Sequence, residues 1–151
     1  MKIILMLGGN IGDSAAVFRE ACRKLTAGGV RNIRMSDIFR SAAVDCVPGT
    51  PDFCDAAISA EWDRSPLELL KLCQETERAA GRPANHSSRE SRILDVDIIL
   101  FGDEIINTPE LTIPHPRAIS REFVLAPLCQ IEPQILFPNT NLTAEQLLKN
   151  I

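Results

Sequence analysis

Asp95 and Asp97 stand two apart in the segment Ile93-Leu94-Asp95-Val96-Asp97-Ile98-Ile99-Leu100-Phe101. Read as a strand, the segment alternates its side chains between faces. Both carboxylates then point one way while Leu94, Val96, Ile98 and Leu100 point the other. Like charges at that spacing repel, and stripping one face of apolar groups costs burial, so the arrangement calls for a compensating cation. Hard carboxylate oxygens beside a nucleotide's phosphates suit Mg²⁺. The solvated outer face of an edge strand explains Asp-x-Asp equally well by itself, so other residues must decide.

Cationic groups gather around this segment: Arg82, Arg89 and Arg92 precede it, and His115, Arg117 and Arg121 follow. The planar guanidinium fork matches phosphate oxygens, and phosphoryl transfer is catalysed mainly by positioning and charge neutralisation. Any one such arginine is more often a solvated surface side chain; the combination carries the argument. Gln74 and Glu77, three apart on a helix, share a polar face that suits either a nucleotide edge or plain solvent. His115, between Pro114 and Pro116, occupies a stiff extended loop from which an imidazole can donate to a phosphate or serve a structural role. The turn Gly8-Gly9-Asn10-Ile11-Gly12-Asp13 joins a strand to a helix, but it lacks the Gly-Lys-Ser/Thr ending of a P-loop and the Gly-x-Gly-x-x-Gly spacing of a dinucleotide fold. It reads as structural.

The elements that must position these groups are legible in outline. A strand from Lys2 to Leu7 precedes a helix with Phe18, Ala21, Cys22 and Leu25 at helical spacing, ending at Gly28-Gly29. Ile33 to Phe39 and Phe53 to Trp62 read as strands, separated by an irregular stretch from Ser41 to Asp52. Ser65-Pro66-Leu67-Glu68 is a capping box opening a second helix that stops near Gly81. Arg82 to Ser91 is polar and aperiodic and reads as a mobile loop. After the aspartate strand come a strand near Leu111 to Ile113, a helical stretch including Phe123 to Leu128, and a last helix from Thr143 to Asn150, with Asn141 or Thr143 near its cap. Strands and helices interleave without strict βαβ alternation, which predicts one α+β domain, a sheet covered by helices.

Composition narrows the class. A formal net charge of -4 over 151 residues argues against a nucleic-acid binder that works by bulk attraction. No stretch reaches the roughly 18 apolar residues of a membrane span. Five cysteines in unrelated contexts, with no Cys-x-x-Cys pair, read as free thiols of a reducing cytosol.

Several of these segments, in this order, resemble the signatures of the hydroxymethyldihydropterin pyrophosphokinase family. They are Leu7 to Asp13, Pro51-Asp52-Phe53, Glu77 with Gly81-Arg82, Arg92 to Ile98, Leu111 to Pro116, and Arg121 to Leu128. The resemblance covers nearly the whole chain, 1–151, as one domain. It implies a ferredoxin-like α+β fold and transfer of diphosphate from ATP to the hydroxymethyl oxygen of 6-hydroxymethyl-7,8-dihydropterin, releasing AMP, in folate biosynthesis. It implies that Asp95 and Asp97 hold two Mg²⁺ ions, and that Gln74, Glu77, Arg82, Arg92, Ile98, Thr112, His115 and Arg121 line ATP. Arg82, Arg92, Asp95, Asp97 and His115 are its implied catalytic set; Val44, Phe53, Asp55 and Phe123 are its implied pterin contacts. It further implies a cytoplasmic enzyme working as a monomer, with a loop from Arg82 to Ser91 that closes over the substrates.

The chain departs from the family pattern mostly on the pterin side. Asp55 stands where the family has an asparagine, and an ionised aspartate only accepts hydrogen bonds. Arg89 replaces a loop tryptophan, Ala84 a loop arginine, Ala42 and Ala43 a Thr-Pro pair, and Glu110 a residue that is often basic. Two alternatives therefore stand beside the main expectation: the same transfer chemistry on another acceptor, and a non-catalytic paralogue that binds magnesium and nucleotide.

Overall fold

A computed structural model of the protein describes residues 1–42, 48–81 and 93–151. Strand β1 (Lys2–Gly9) carries an unbroken buried run from Ile3 to Leu7. A strand that is apolar on both faces belongs at the centre of a sheet covered on both sides, and β1 takes that place. The main sheet runs in the order β2 (Arg31–Met35), β4 (Phe53–Glu61), β1, β5 (Asp95–Phe101), with β3 (Phe39–Ser41) also paired to β4. Every pairing is antiparallel. Helix α1 (Ser14–Ala27) links β1 to β2, and helix α2 (Pro66–Ala79) links β4 to β5; each connection skips one intervening strand. That is the split βαβ topology of the ferredoxin-like fold, as expected.

Local chemistry sets the helix ends. Asp13 caps α1 by accepting from Ala16 N–H at 3.2 Å. Ser65 and Glu68 form the expected reciprocal capping box on α2, with Pro66 opening the helix. At the end of α1, Gly29 adopts φ +114°, a left-handed conformation that favours glycine. Helix α3 (Glu122–Ile131) and helix α4 (Ala144–Lys149) follow, α4 capped by Thr143.

The sheet divides the core. On one face Ile3, Leu5, Leu7, Ile58 and Trp62 pack with Phe18 and Leu25 of α1 and with Leu69 and Cys73 of α2. On the other, Ile4, Met6 and Ala57 pack with Leu125 and Leu128 of α3 and Leu147 of α4. Among the described cysteines, Cys22, Cys54, Cys73 and Cys129 are free thiols. Among the described residues, no helix is long and apolar enough to cross a membrane.

The structure corrects two local expectations and adds short strands to a third. The single strand expected over Ile33 to Phe39 is two strands, β2 and β3. Between them Ser36 turns its hydroxyl inward to accept Ala57 N–H at 2.9 Å, and Gln130 of α3 holds Asp37 through bonds of 2.6 and 2.8 Å. The chain thus leaves the sheet and anchors on α3. Leu100 does not share a face with Val96. A register shift against Ile4/Leu5 inserts a bulge, so Ile99 and Leu100 both enter the α3 side of the core and Phe101 returns to the other. Short pairs of two residues each, β6 (Ile106–Asn107) with β7 (Thr112–Ile113) and β8 (Leu136–Phe137) with β9 (Leu142–Thr143), extend the expected strand near Leu111 to Ile113 and add a second small hairpin.

Candidate functional site

Where α3 begins, its face of the sheet is left partly open, and a cavity of about 860 Å³ lies there. Its floor is built from the ends of three adjacent strands: Gly8 and Gly9 of β1, Phe53 and Asp55 of β4, and Asp95 and Asp97 of β5. His115, Pro116 and Arg117 from the loop after β7 line it, as do Arg121, Phe123 and Val124 at the start of α3. Ser41 and Ala42 stand at another edge. Asp95 and Asp97 therefore share the face that alternation assigned them, half-buried and exposed respectively, while Leu94, Val96 and Ile98 are buried on the opposite side.

Strand β5 ends the sheet, so among the described residues no strand is hydrogen-bonded along its outer edge. Two contacts occupy it. Glu77 Oε2, on α2, accepts Val96 N–H at 2.8 Å, and His115 N–H donates to the Ile99 carbonyl at 3.0 Å. These bonds flank Asp97 along the strand.

His115 is oriented from the other side as well: Arg117 N–H donates to its Nδ1 at 3.3 Å. In the neutral ring the proton is then on Nε2, which becomes the donor. Burial pushes the His115 pKa below its ordinary value; Asp97 opposes this, and the charges of Arg121 and Arg117 reinforce it. Burial, then Arg117, also lower the pKa of Arg121, against the pull of Asp97 and Asp55. The guanidinium stays charged at neutral pH, so an anionic ligand in the cavity would offset both its burial and its crowding by Arg117. Arg121 also stacks over the Phe123 ring, 5.2 Å from its centroid.

Asp55 is 8% exposed, on the floor of the cavity. It faces Gly8 across the β1–β4 pairing, and a Cβ built on Gly8 would lie 2.9 Å from Asp55 Oδ1. A side chain at position 8 would force the carboxylate to shift, so glycine lets Asp55 keep its place against β1. Sequence reasoning treated Gly8 and Gly9 as turn residues only; the overlooked signal is a glycine inside a strand, which marks close approach. Asn10, 5% exposed, is structural as expected, tethering the turn to the Pro51 carbonyl at 3.3 Å.

Of the residues singled out from the sequence, the cavity brings together Phe53, Asp55, Asp95, Asp97, His115, Arg121 and Phe123. Gln74 is exposed on α2, Glu77 is bonded to β5, and Thr112 is exposed on β7; none lines the cavity. The Ile98 side chain is buried in the core behind the sheet, so any ligand contact there falls to its main chain. Val44, Arg82 and Arg92, together with Ala43, Ala84, Arg89, Cys46 and the expected closing loop, lie outside the described residues.

Comparison with known proteins matches residues 4–133 to the family model described as 7,8-dihydro-6-hydroxymethylpterin-pyrophosphokinase (HPPK). A 2-amino-4-hydroxy-6-hydroxymethyldihydropteridine pyrophosphokinase of Synechocystis sp. is 34% identical over 149 residues, covering 98% of this chain and 75% of the relative. A mitochondrial folate synthesis bifunctional protein of Arabidopsis thaliana is 37% identical over 130 residues, 86% of this chain; the match spans only 23% of that protein's length. Among solved structures, the wild-type HPPK-DHPS of Plasmodium falciparum with pteroate superposes with a TM-score of 0.76 at 14% identity, over 99% of this chain and 42% of that one, a likeness of fold.

Proposed function

The chain belongs to the 7,8-dihydro-6-hydroxymethylpterin-pyrophosphokinase family, and from that membership and the site's geometry we propose that it transfers diphosphate from ATP to the hydroxymethyl group of 6-hydroxymethyl-7,8-dihydropterin. The pterin hydroxymethyl oxygen forms a bond to the β-phosphorus of ATP, the bond from that phosphorus to the oxygen bridging to the α-phosphate breaks, AMP leaves, and the hydroxyl proton is released. The observation that carries this reading is one cavity holding a carboxylate pair, two arginines, an oriented imidazole and two phenylalanine rings.

Phe53 and Phe123 offer aromatic faces to a flat heterocycle, and Asp55 offers an acceptor to N–H groups on that ring's edge. His115 Nε2–H and the Arg121 guanidinium bind and orient phosphate oxygens, so the transferred group is held in line without a covalent nucleophile. Asp95 and Asp97 fit Mg²⁺. They are adjacent hard-oxygen donors open to the cavity, and among the described residues no group of three or more metal-ligating side chains forms a complete cage. Mg²⁺ is held through one or two carboxylates together with substrate phosphates and retained waters. When bound there, as the two ions of our reading, it supplies neutralisation of charge on the phosphate oxygens. Arg82 and Arg92 add further phosphate contacts in this reading, Gln74, Thr112 and the main chain of Ile98 serve the nucleotide, Glu77 acts from behind the sheet through its bond to Val96 N–H, and Val44 serves the pterin.

Free thiols at the described cysteines support a reducing, cytoplasmic setting. Action as a monomer belongs to this reading through the family resemblance, and the acidic balance argues against bulk attraction to nucleic acid, leaving Arg117 and Arg121 of the cavity to hold anionic substrates. Phosphorus NMR of the reaction mixture tests the chemistry. AMP and a pterin diphosphate are expected; ADP with a pterin monophosphate would overturn diphosphate transfer. One observation, Asp55 where the family has an asparagine, favours a second acceptor: another hydroxymethyl-bearing ring whose edge presents N–H donors alone to a carboxylate that only accepts. Slow turnover of the pterin with fast turnover of such a ring would establish that instead.

A further inference from the structure

We propose that Glu77 acts as a positioning residue for the Asp95/Asp97 pair, setting the course of β5 through its bond to the amide between the two aspartates. The proposal rests on the magnesium-nucleotide reading above for its consequence, but not for its structural basis. Glu77 projects from α2, on the face of the sheet opposite the cavity, and its Oε2 accepts Val96 N–H at 2.8 Å in a half-buried setting. Val96 is the residue whose peptide units join Asp95 to Asp97, and its side chain is fixed in the core at 4% exposure.

An end strand lacks a neighbour on one side to hold its pleat, so the direction of its side chains depends on whatever occupies that edge. Here a carboxylate takes the outward amide before Asp97, and His115 N–H takes the Ile99 carbonyl after it. A charge-assisted bond to a backbone amide is stronger and more directional than a neutral one. It fixes the amide plane, and with it the angle at which the neighbouring carboxylates leave the strand. Two carboxylates that must meet phosphate-bound cations at fixed distances tolerate little error in that angle.

The test uses the full-length protein with and without ligands. In the ligand-free protein, Glu77→Ala should speed hydrogen exchange at the Val96 amide by roughly ten- to hundredfold and move its proton resonance upfield. Glu77→Gln, which keeps a neutral acceptor, should restore most of the protection. With Mn²⁺ and a non-hydrolysable ATP analogue, Glu77→Ala should raise the half-saturating metal concentration about tenfold, with Glu77→Gln again intermediate. Unchanged Val96 exchange and resonance in Glu77→Ala would overturn the proposal. So would lost metal affinity that Glu77→Gln does not rescue, since that assigns the carboxylate to the ligand itself. Wild-type protein that binds neither Mn²⁺ nor the analogue, while the Val96 amide responds as expected, would refute the magnesium-nucleotide reading and leave the positioning bond standing.

Discussion

Replacing Gly8 by alanine adds one methyl group where β1 faces the Asp55 carboxylate. Gly8 lies outside the left-handed region of backbone space, so alanine adopts its conformation without strain and the whole effect comes from the contact. The new Cβ would sit 2.9 Å from Asp55 Oδ1 and ordinary contact begins at 3.4 Å, so the oxygen must retreat by 3.4 − 2.9, about 0.5 Å. It borders an open cavity and has somewhere to go. The usual overpacking cost of about 1–3 kcal/mol is therefore largely avoided. What remains is offset by the about 0.4–1 kcal/mol that alanine contributes by restricting the unfolded chain, leaving net stability within about 1 kcal/mol of the parent. Function responds differently. A hydrogen bond to a charged acceptor is worth about 1.5–3 kcal/mol, and displacing that acceptor by about 0.5 Å forfeits roughly half. Pterin affinity, measured calorimetrically, should fall about four- to twelvefold, with urea unfolding nearly unchanged. In an Asp55→Ala background the methyl meets no carboxylate, so Gly8→Ala should leave affinity unaltered there. An equal loss in both backgrounds, or destabilisation beyond about 3 kcal/mol, would refute the reasoning.

Three further outcomes follow from the same geometry. Ser36→Ala removes the acceptor of the buried Ala57 N–H and should cost about 1–3 kcal/mol in urea unfolding; a change below about 0.5 kcal/mol would contradict that role. His115 has a lower pKa in the fold than the roughly 6.5 of the unfolded chain, so on acidification the unfolded chain takes up the proton first. The stability associated with its neutral ring is complete above about pH 7 and is lost as pH falls from about 6.5 toward the folded value. Relative to His115→Gln, the metal-free parent should lose stability over that window, and a difference that stays flat would count against the burial argument. Asp97→Ala should unfold at an unchanged or higher temperature while turnover disappears, because it relieves carboxylate repulsion as it removes a cation ligand; a folded, active variant would remove Asp97 from the mechanism.

The sequence discloses short-range patterns and hides what depends on tertiary partners. Alternation placed Asp95 and Asp97 on one face, and the Ser65–Glu68 capping box placed the start of α2, because each signal lies within a few residues of its effect; of the two caps open for α4, Asn141 and Thr143, the structure uses Thr143. The Leu100 face was misread since the bulge arises from register against β1, which local alternation does not encode. The break after Met35 was invisible because Ser36 and Asp37 find their partners on β4 and α3, distant in the chain. The expected strand near Leu111 to Ile113 proved to be β7, but its partner β6 and the β8–β9 pair, two residues each, are too short to show any period. Helical spacing gave Glu77 a polar face that suited a ligand or solvent alike, and only the fold brings Val96 N–H to it. Phe53, Asp55 and Phe123 were reached through family resemblance, and the cavity then assembled them from β4 and α3.

The central claim is tested most directly by measuring AMP release from the purified protein with ATP, Mg²⁺ and 6-hydroxymethyl-7,8-dihydropterin, each omitted in turn. AMP that appears only when all three are present is the predicted result. AMP that forms without the pterin, or none with all three while ATP still binds, would contradict diphosphate transfer to that acceptor.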